Sequence, residues 1–230
     1  MTTSQRPDDP QAAEEHGAAY VPALGFSRLT WLYDWILATT LKEEKFKRLL
    51  VEQARVEPGQ RVLDLGCGTA TLTIMLKRAC PEAQVVGLDG DPEILEIARR
   101  KIAAAEVEIE LRPGLAFDPP FEAASFDRIV SSLVFHHLAT EQKLRTFEAS
   151  RKLLRPGGEL HIADWGKARS FLARAAFLGV QMLDGFANTA DNVRGRLIPM
   201  MNDAGFVRIA ETHREPTLFG TLALHRAAVA

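Results

Sequence analysis

The chain has 230 residues, 47% of them hydrophobic and 25% charged, and a net charge of -2 at pH 7. That size and balance suit one soluble domain with a full core, and they leave no global basic field for binding nucleic acid. The two cysteines, Cys67 and Cys80, lack zinc-ligand spacing and argue against a disulfide framework. No charged-then-apolar leader pattern opens the sequence and no apolar run is long enough to span a bilayer, so a cytoplasmic setting without stable membrane insertion is expected.

Residues 1–18 are polar, with Pro7, Pro10 and Gly17, and read as a flexible tail. Leu29, Leu32, Trp35, Ile36, Phe46, Leu49 and Leu50 recur at helical spacing across 27–55, and Pro58-Gly59 ends that region. Strands and helices then alternate: strand 61–65, helix 70–79, strand 84–88, helix 92–104 capped by Asp91-Pro92, and a strand near 107–112. Strand 126–132, a helix around 140–154, a turn at Pro156-Gly157-Gly158 and strand 159–163 follow. This order predicts a parallel sheet with helices on both faces and ligand sites along one edge. Beyond it come an apolar helical stretch (168–187), a helix at about 190–203, and two strands, 206–211 and 217–226, joined through Arg214-Glu215-Pro216 as an antiparallel hairpin.

The most informative run is Val62-Leu-Asp-Leu-Gly-Cys-Gly-Thr-Ala-Thr-Leu-Thr73. An apolar strand meets a glycine turn and then a helix start. Glycines there let backbone approach a ligand, and the helix start offers unpaired N–H groups. The dinucleotide fingerprint Gly-x-Gly-x-x-Gly fails, because Thr71 stands at its third glycine. The Asp-x-Gly-x-Gly turn of enzymes using S-adenosylmethionine (SAM) fits, with Asp64 two residues before Gly66. Asp89, 23 positions after Gly66, ends the second strand, where an acid accepts hydrogen bonds from ribose hydroxyls.

With Phe121–Leu138 and Leu153–Trp165, the glycine turn resembles the class I SAM-dependent methyltransferases, small-molecule branch, near the ubiquinone/menaquinone C-methyltransferases. The resemblance covers about residues 60–165. It implies an α/β fold with a Rossmann-like, seven-stranded, mostly parallel sheet, helices on both faces and an antiparallel C-terminal hairpin strand. Residues 19–230 form one domain in this reading, with an N-terminal helical lid (about 19–56) and a cap insertion (about 168–187). SAM is the implied cofactor. Asp64, Gly66, Cys67 and Gly68 shape its amino-acid end, Asp89 holds the ribose, and Gly90, Leu115 and Ala116 border the adenine. Ser131, Ser132 and Leu133 lie beneath the methionine part. One departure stands out: Leu115 occupies the place where relatives carry an acid for the adenine amino group. A backbone carbonyl, Asp118 or packing alone is the substitute.

His136-His137 reads either as framework or as one catalytic histidine near the reacting methyl; no metal site is expected, for want of a third ligand. Tyr33, in a Tyr-Asp pair that the quinone-methylating relatives also carry, is the second catalytic candidate. Trp165, His137 and Phe177 are substrate-wall candidates; Asp184 and Asn188 are weaker ones. The expected activity is C- or O-methylation of a small apolar or aromatic, quinone-like acceptor by a monomer or homodimer, with no nucleic-acid partner. The alternative is a SAM-binding regulatory or partner protein without methyl transfer. A base- or amide-methylating enzyme is disfavoured: Asp118-Pro119-Pro120-Phe121 approaches the Asn/Asp-Pro-Pro-Tyr tetrapeptide but precedes the fourth strand instead of following it.

Overall fold

The computed structural model describes residues 43–167, 177, 178, 181, 185–217 and 220–230. Seven strands form one sheet: β1 (Arg61–Leu65), β2 (Gln84–Asp89), β3 (Glu110–Pro113), β4 (Phe126–Ser132), β5 (Leu154–Trp165), β6 (Val207–Thr217) and β7 (Gly220–Ala228), in the order β3-β2-β1-β4-β5-β7-β6. The first five run parallel, and β7 is antiparallel to both β5 and β6. This is the predicted α/β class. The strand order reverses between β1 and β4, which opens a crevice at their C-terminal ends.

Side-chain alternation divides the core between the two faces of the sheet. Val62, Val85, Val130, Ala163 and Trp165 pack under Phe46 and Leu50 of α1 (Glu43–Ala54) and Leu72 and Leu76 of α2 (Thr71–Ala79). On the other face, Leu63, Leu65, Val86, Ile129 and Ile162 meet Phe147 of α4 (Thr140–Leu153) and Met200 and Met201 of α6 (Leu197–Asp203). Helix α3 (Pro92–Ala104) starts as expected: the Asp91 carboxylate accepts from the N–H groups of Glu93 and Ile94, and Pro92 fills the first turn.

Four boundaries differ from expectation. The single helix at 190–203 is two, α5 (Phe186–Val193) and α6, separated at Gly195, whose φ of 71° leaves the helical region. Arg214, Glu215 and Pro216 are not the hairpin link; they pair with Ala223, Leu222 and Thr221 inside β6. A proline is tolerated there because β6 is the sheet's edge strand. Strand β5 already starts at Leu154, which pairs with Phe126 across a register shift, so Pro156-Gly157-Gly158 falls within it. Strand β3 begins only at Glu110.

The tail at 1–18, Tyr33, Asp184 and most of the expected lid and cap lie outside the described residues. Within the cap segment Phe177 is buried, and a Cβ on Gly220 would sit 2.8 Å from its ring. Among the described residues no helix is long and apolar enough to cross a membrane.

Candidate active site

The glycine turn is tied to β2 by two N–H groups, Gly66 and Cys67, which both donate to the Leu88 carbonyl (2.8 and 2.9 Å). Gly66 has φ 75°, and a Cβ there would lie 2.4 Å from Val134 Cγ2, so only glycine lets the turn after β4 close onto the turn after β1. Gly68, with φ 54°, has nothing within 4 Å of where its Cβ would be. Open space therefore lies over this backbone. Ala70 precedes α2 in a left-handed conformation and makes no side-chain cap, which leaves the helix start for an incoming acceptor. Cys67 is buried, and burial beside Asp64 and Asp89 pushes its thiol far up, so it stays a neutral thiol.

Two acids stand at the ends of β1 and β2. Asp64 is 1% exposed and accepts a hydrogen bond from Thr73 Oγ1 at 2.7 Å. Burial is the main reason its carboxyl is pushed up to about 6. Asp89 accepts from Gly68 N–H (2.8 Å) on one oxygen and from Asp91 N–H (3.0 Å) on the other. Burial raises it too, and these backbone donors hold the rise back. Each Asp89 oxygen keeps acceptor capacity beyond these bonds.

The end of β4 completes this edge. Ser131 donates its hydroxyl to Leu65 O (2.9 Å) and so fastens β4 to β1. The buried Ser132 hydroxyl has no partner among the described residues. Alternation puts Ser132 on the face of Val130, the strand partner of Asp64. Leu133 follows with φ 58°, a strained value for a branched side chain, while its N–H holds Ala163 O (2.9 Å). On the other flank, Gly114 N–H bonds Asp89 O (3.0 Å), which sets Leu115 and Ala116, both half-buried, beside Gly90. The Leu115 carbonyl already accepts from Asp118 N–H (3.0 Å), and Asp118 is exposed.

A 3-10 turn, Phe135–His137, begins one residue after Val134. His136 Nδ1 lies 2.8 Å from Asp164 Oδ1, and both side chains are buried. His137 is half-buried, and burial together with the neighbouring His136 pushes it down to about 3, so it is neutral. The two rings are 3.9 Å apart, His136 meets Trp165 edge-on at 6.4 Å, and Trp165 meets Phe177 at 5.2 Å. His136, His137, Trp165 and Phe177 thus form one aromatic cluster, and the turn that carries its two histidines follows Val134, which lies against Gly66. Trp165 is 1% exposed, and its packing on Leu222 and Leu224 makes it part of the core as well. Asn188 uses its side-chain amide to donate to His137 O at 3.0 Å. Among the described residues no three His, Cys, Asp or Glu side chains converge as a metal site.

A model of the family described as "Methyltransferase domain" matches residues 62–158. The chain is similar to a demethylmenaquinone methyltransferase of Symbiobacterium thermophilum, 27% identical over 98% of this chain and 97% of the relative. It is 30% identical to an uncharacterized methyltransferase of Synechocystis sp. over 67% of this chain and 76% of that protein. The chain belongs to the class I SAM-dependent methyltransferases. A phosphoethanolamine N-methyltransferase of Haemonchus contortus, solved with phosphomonomethylethanolamine and S-adenosylhomocysteine (SAH), shares the fold, with a TM-score of 0.70 at 15% identity over 86% of this chain and 56% of that one.

The strand-end edge of this methyltransferase fits its cofactor on three observations: clear space over Gly68, acceptor capacity at Asp89, and the orphaned Ser132 hydroxyl. Sequence reasoning missed the partners of His136. Asp164 was visible only as a strand-end acid. Asn192, which donates to Asp164 Oδ1 (3.1 Å) and Trp165 O (3.2 Å), carried no local signal.

Proposed function

We propose that this methyltransferase methylates a small apolar or aromatic acceptor, quinone-like in shape. The observation that carries the reading is the contiguous cluster of His136, His137, Trp165 and Phe177, joined to the glycine turn through Val134. An apolar, aromatic wall beside the reacting centre favours a flat hydrophobic acceptor. The demethylmenaquinone methyltransferase named above supports the same class. The free Cys67 and Cys80 are consistent with a reducing, cytoplasmic setting.

Each residue then has a defined task. Asp64 faces the amino group of SAM, Asp89 accepts from the ribose hydroxyls, and Gly66, Cys67 and Gly68 give the ligand's amino-acid end a close backbone surface. Gly90, Leu115 and Ala116 border the adenine. Ser131 secures the floor that Ser132 and Leu133 present to the methionine part. Bound SAM supplies a methyl group already activated by a positively charged sulfur. What remains for the protein is to align the acceptor with that methyl and exclude water, which needs shape more than a dense set of catalytic groups.

The test is calorimetry with SAH followed by transfer of labelled methyl from SAM to a panel of naphthols, quinols, tRNA and protein. Binding with label on a small aromatic supports the proposal, and label on macromolecules alone contradicts it. A variant probes the adenine edge. Leu115→Asp places an acceptor where relatives have one, at a half-buried position next to exposed Asp118. SAH affinity is expected to stay within about threefold or to tighten, under roughly 1 kcal/mol of change. A larger loss with the fold intact places Leu115 away from the adenine.

A further inference from the structure

A cavity of about 370 Å3 opens between α4 and the loop that joins β3 to β4. It shares no residue with the glycine turn, with Asp64 or Asp89, or with the cluster of His136, His137, Trp165 and Phe177. Its volume falls near the lower bound of the roughly 300–1,000 Å3 typical of small-molecule sites. Arg145, Glu148, Ala149 and Lys152 line it from the helix, at the i, i+3, i+4 and i+7 positions that share one face. Phe117 and Phe121, both half-buried, line it from the loop. The Arg145 guanidinium lies over the Phe117 ring at 5.2 Å, and Phe121 is held edge-on against buried Phe126 at 5.0 Å. An aromatic wall thus faces a charged one, with the small Ala149 between the charges. Glu148 and Lys152 have the i,i+4 spacing at which Glu44 and Arg48 pair in α1. Yet among the described residues neither forms an ion pair, and neither does exposed Asp118 at the cavity's loop side.

Two cations and two anions around one cavity oppose a ligand of single charge. An anion meets Asp118 and Glu148, and a cation meets Arg145 and Lys152. A second copy of the chain is a poor occupant: two α4 helices packed antiparallel about the middle of this stripe would set Arg145 of one copy against Lys152 of the other. Both walls accept a dipolar molecule that carries a flat ring. We propose that the cavity is a binding site for an aromatic α-amino acid. Its carboxylate meets Lys152, its ammonium meets Glu148, and its ring packs on Phe117 and Phe121 above Ala149. Glu148 and Lys152 are one helical turn apart, about 6 Å along the axis, within reach of the two charged groups of one amino acid. The site is separate from methyl transfer, so it stands or falls independently of the function proposed above. All four charged side chains are exposed, and solvent keeps each ionic contact small, so binding is weak and needs both charges together with the ring.

The test is an amide-resolved NMR titration of the full chain with L-tryptophan. Excess SAH is present throughout, because SAH is itself an aromatic amino-acid derivative and its own site must be closed to the probe. L-Tryptophan is expected to bind with a Kd of about 1 mM or below, with shifts gathered in residues 117–123 and 145–153. Tryptamine, which lacks the carboxylate, and indole-3-propionate, which lacks the ammonium, should each bind roughly two- to fivefold more weakly, the range for one exposed ionic contact. Ala149→Leu fills the cavity with a good helix former and should weaken L-tryptophan about tenfold or more, with SAH affinity unchanged. Lys152→Ala should weaken L-tryptophan and spare tryptamine, and this exposed substitution decides the point if Ala149→Leu disturbs the helix. No shifts up to about 10 mM L-tryptophan, or shifts centred elsewhere, overturn the proposal. So does equal affinity for the three probes, or a Lys152→Ala variant that binds L-tryptophan as the wild type does or loses tryptamine equally.

Discussion

Asp89→Ala is expected to remove most of the affinity for SAM and SAH. Asp89 stands at the end of β2 with one backbone donor on each oxygen and further acceptor capacity on both. In the proposed role that capacity receives ribose hydroxyls. A hydrogen bond to a charged group contributes about 1.5–3 kcal/mol, so each lost hydroxyl contact weakens binding roughly tenfold to a hundredfold. The substitution also releases the Gly68 and Asp91 N–H groups that shape the turn. Asp89→Asn retains one acceptor oxygen and should lose less. Calorimetry with SAH on the folded variants checks both, and an unchanged dissociation constant for Asp89→Ala contradicts the ribose assignment.

Asp64→Asn is expected to move stability and binding in opposite directions. The Asp64 carboxyl is raised from 3.8 to about 6, mainly by burial. At pH 7 it is ionised in the folded and unfolded states alike, and the shift corresponds to roughly 3 kcal/mol of destabilisation. As pH falls through 6 the folded state takes up a proton that the unfolded chain takes up only near 3.8, so the penalty shrinks and stability rises. Asparagine keeps the acceptor for Thr73 and carries no charge to bury. The ligand-free variant should therefore be more stable than the wild type at pH 7, by up to that amount, and the gap should narrow by pH 5. The ammonium of SAM offsets the buried charge in the proposed site, so the same variant should bind SAH about tenfold or more weakly, near 1.4 kcal/mol. Wild-type affinity should also fall as pH drops below 6. Urea unfolding at pH 5 and 7, beside calorimetry, measures each effect. A variant less stable at pH 7 with unchanged SAH affinity contradicts the reading of Asp64.

The parallel sheet and its glycine turn were legible because both signals are local. Apolar strands followed by helical periodicity set the element order, and Asp64, Gly66 and Gly68 sit within five residues of each other. Asp91-Pro92 announced its helix for the same reason. Errors came where a local signal had a second physical meaning. Pro216 reads as a turn residue, yet it lies on an edge strand where its missing N–H costs nothing. Gly195 falls inside the span 190–203 read as one helix, yet it splits that span in two. The His136–Asp164–Asn192 chain was not legible because each link spans 28 residues and joins a 3-10 turn, a strand end and a short helix. Such contacts are products of the topology and have no period of their own. His136 itself was visible, but not its buried partner Asp164.

The most direct measurement is a crystal structure with SAH. The expected result has both ribose hydroxyls within hydrogen-bond distance of Asp89, the amino group near Asp64, and the sulfur facing a cavity walled by His136 and Trp165. SAH bound elsewhere, or at this edge with its sulfur against a solid wall and no room for an acceptor, contradicts a small-molecule methyltransferase and leaves a SAM-binding protein that transfers nothing.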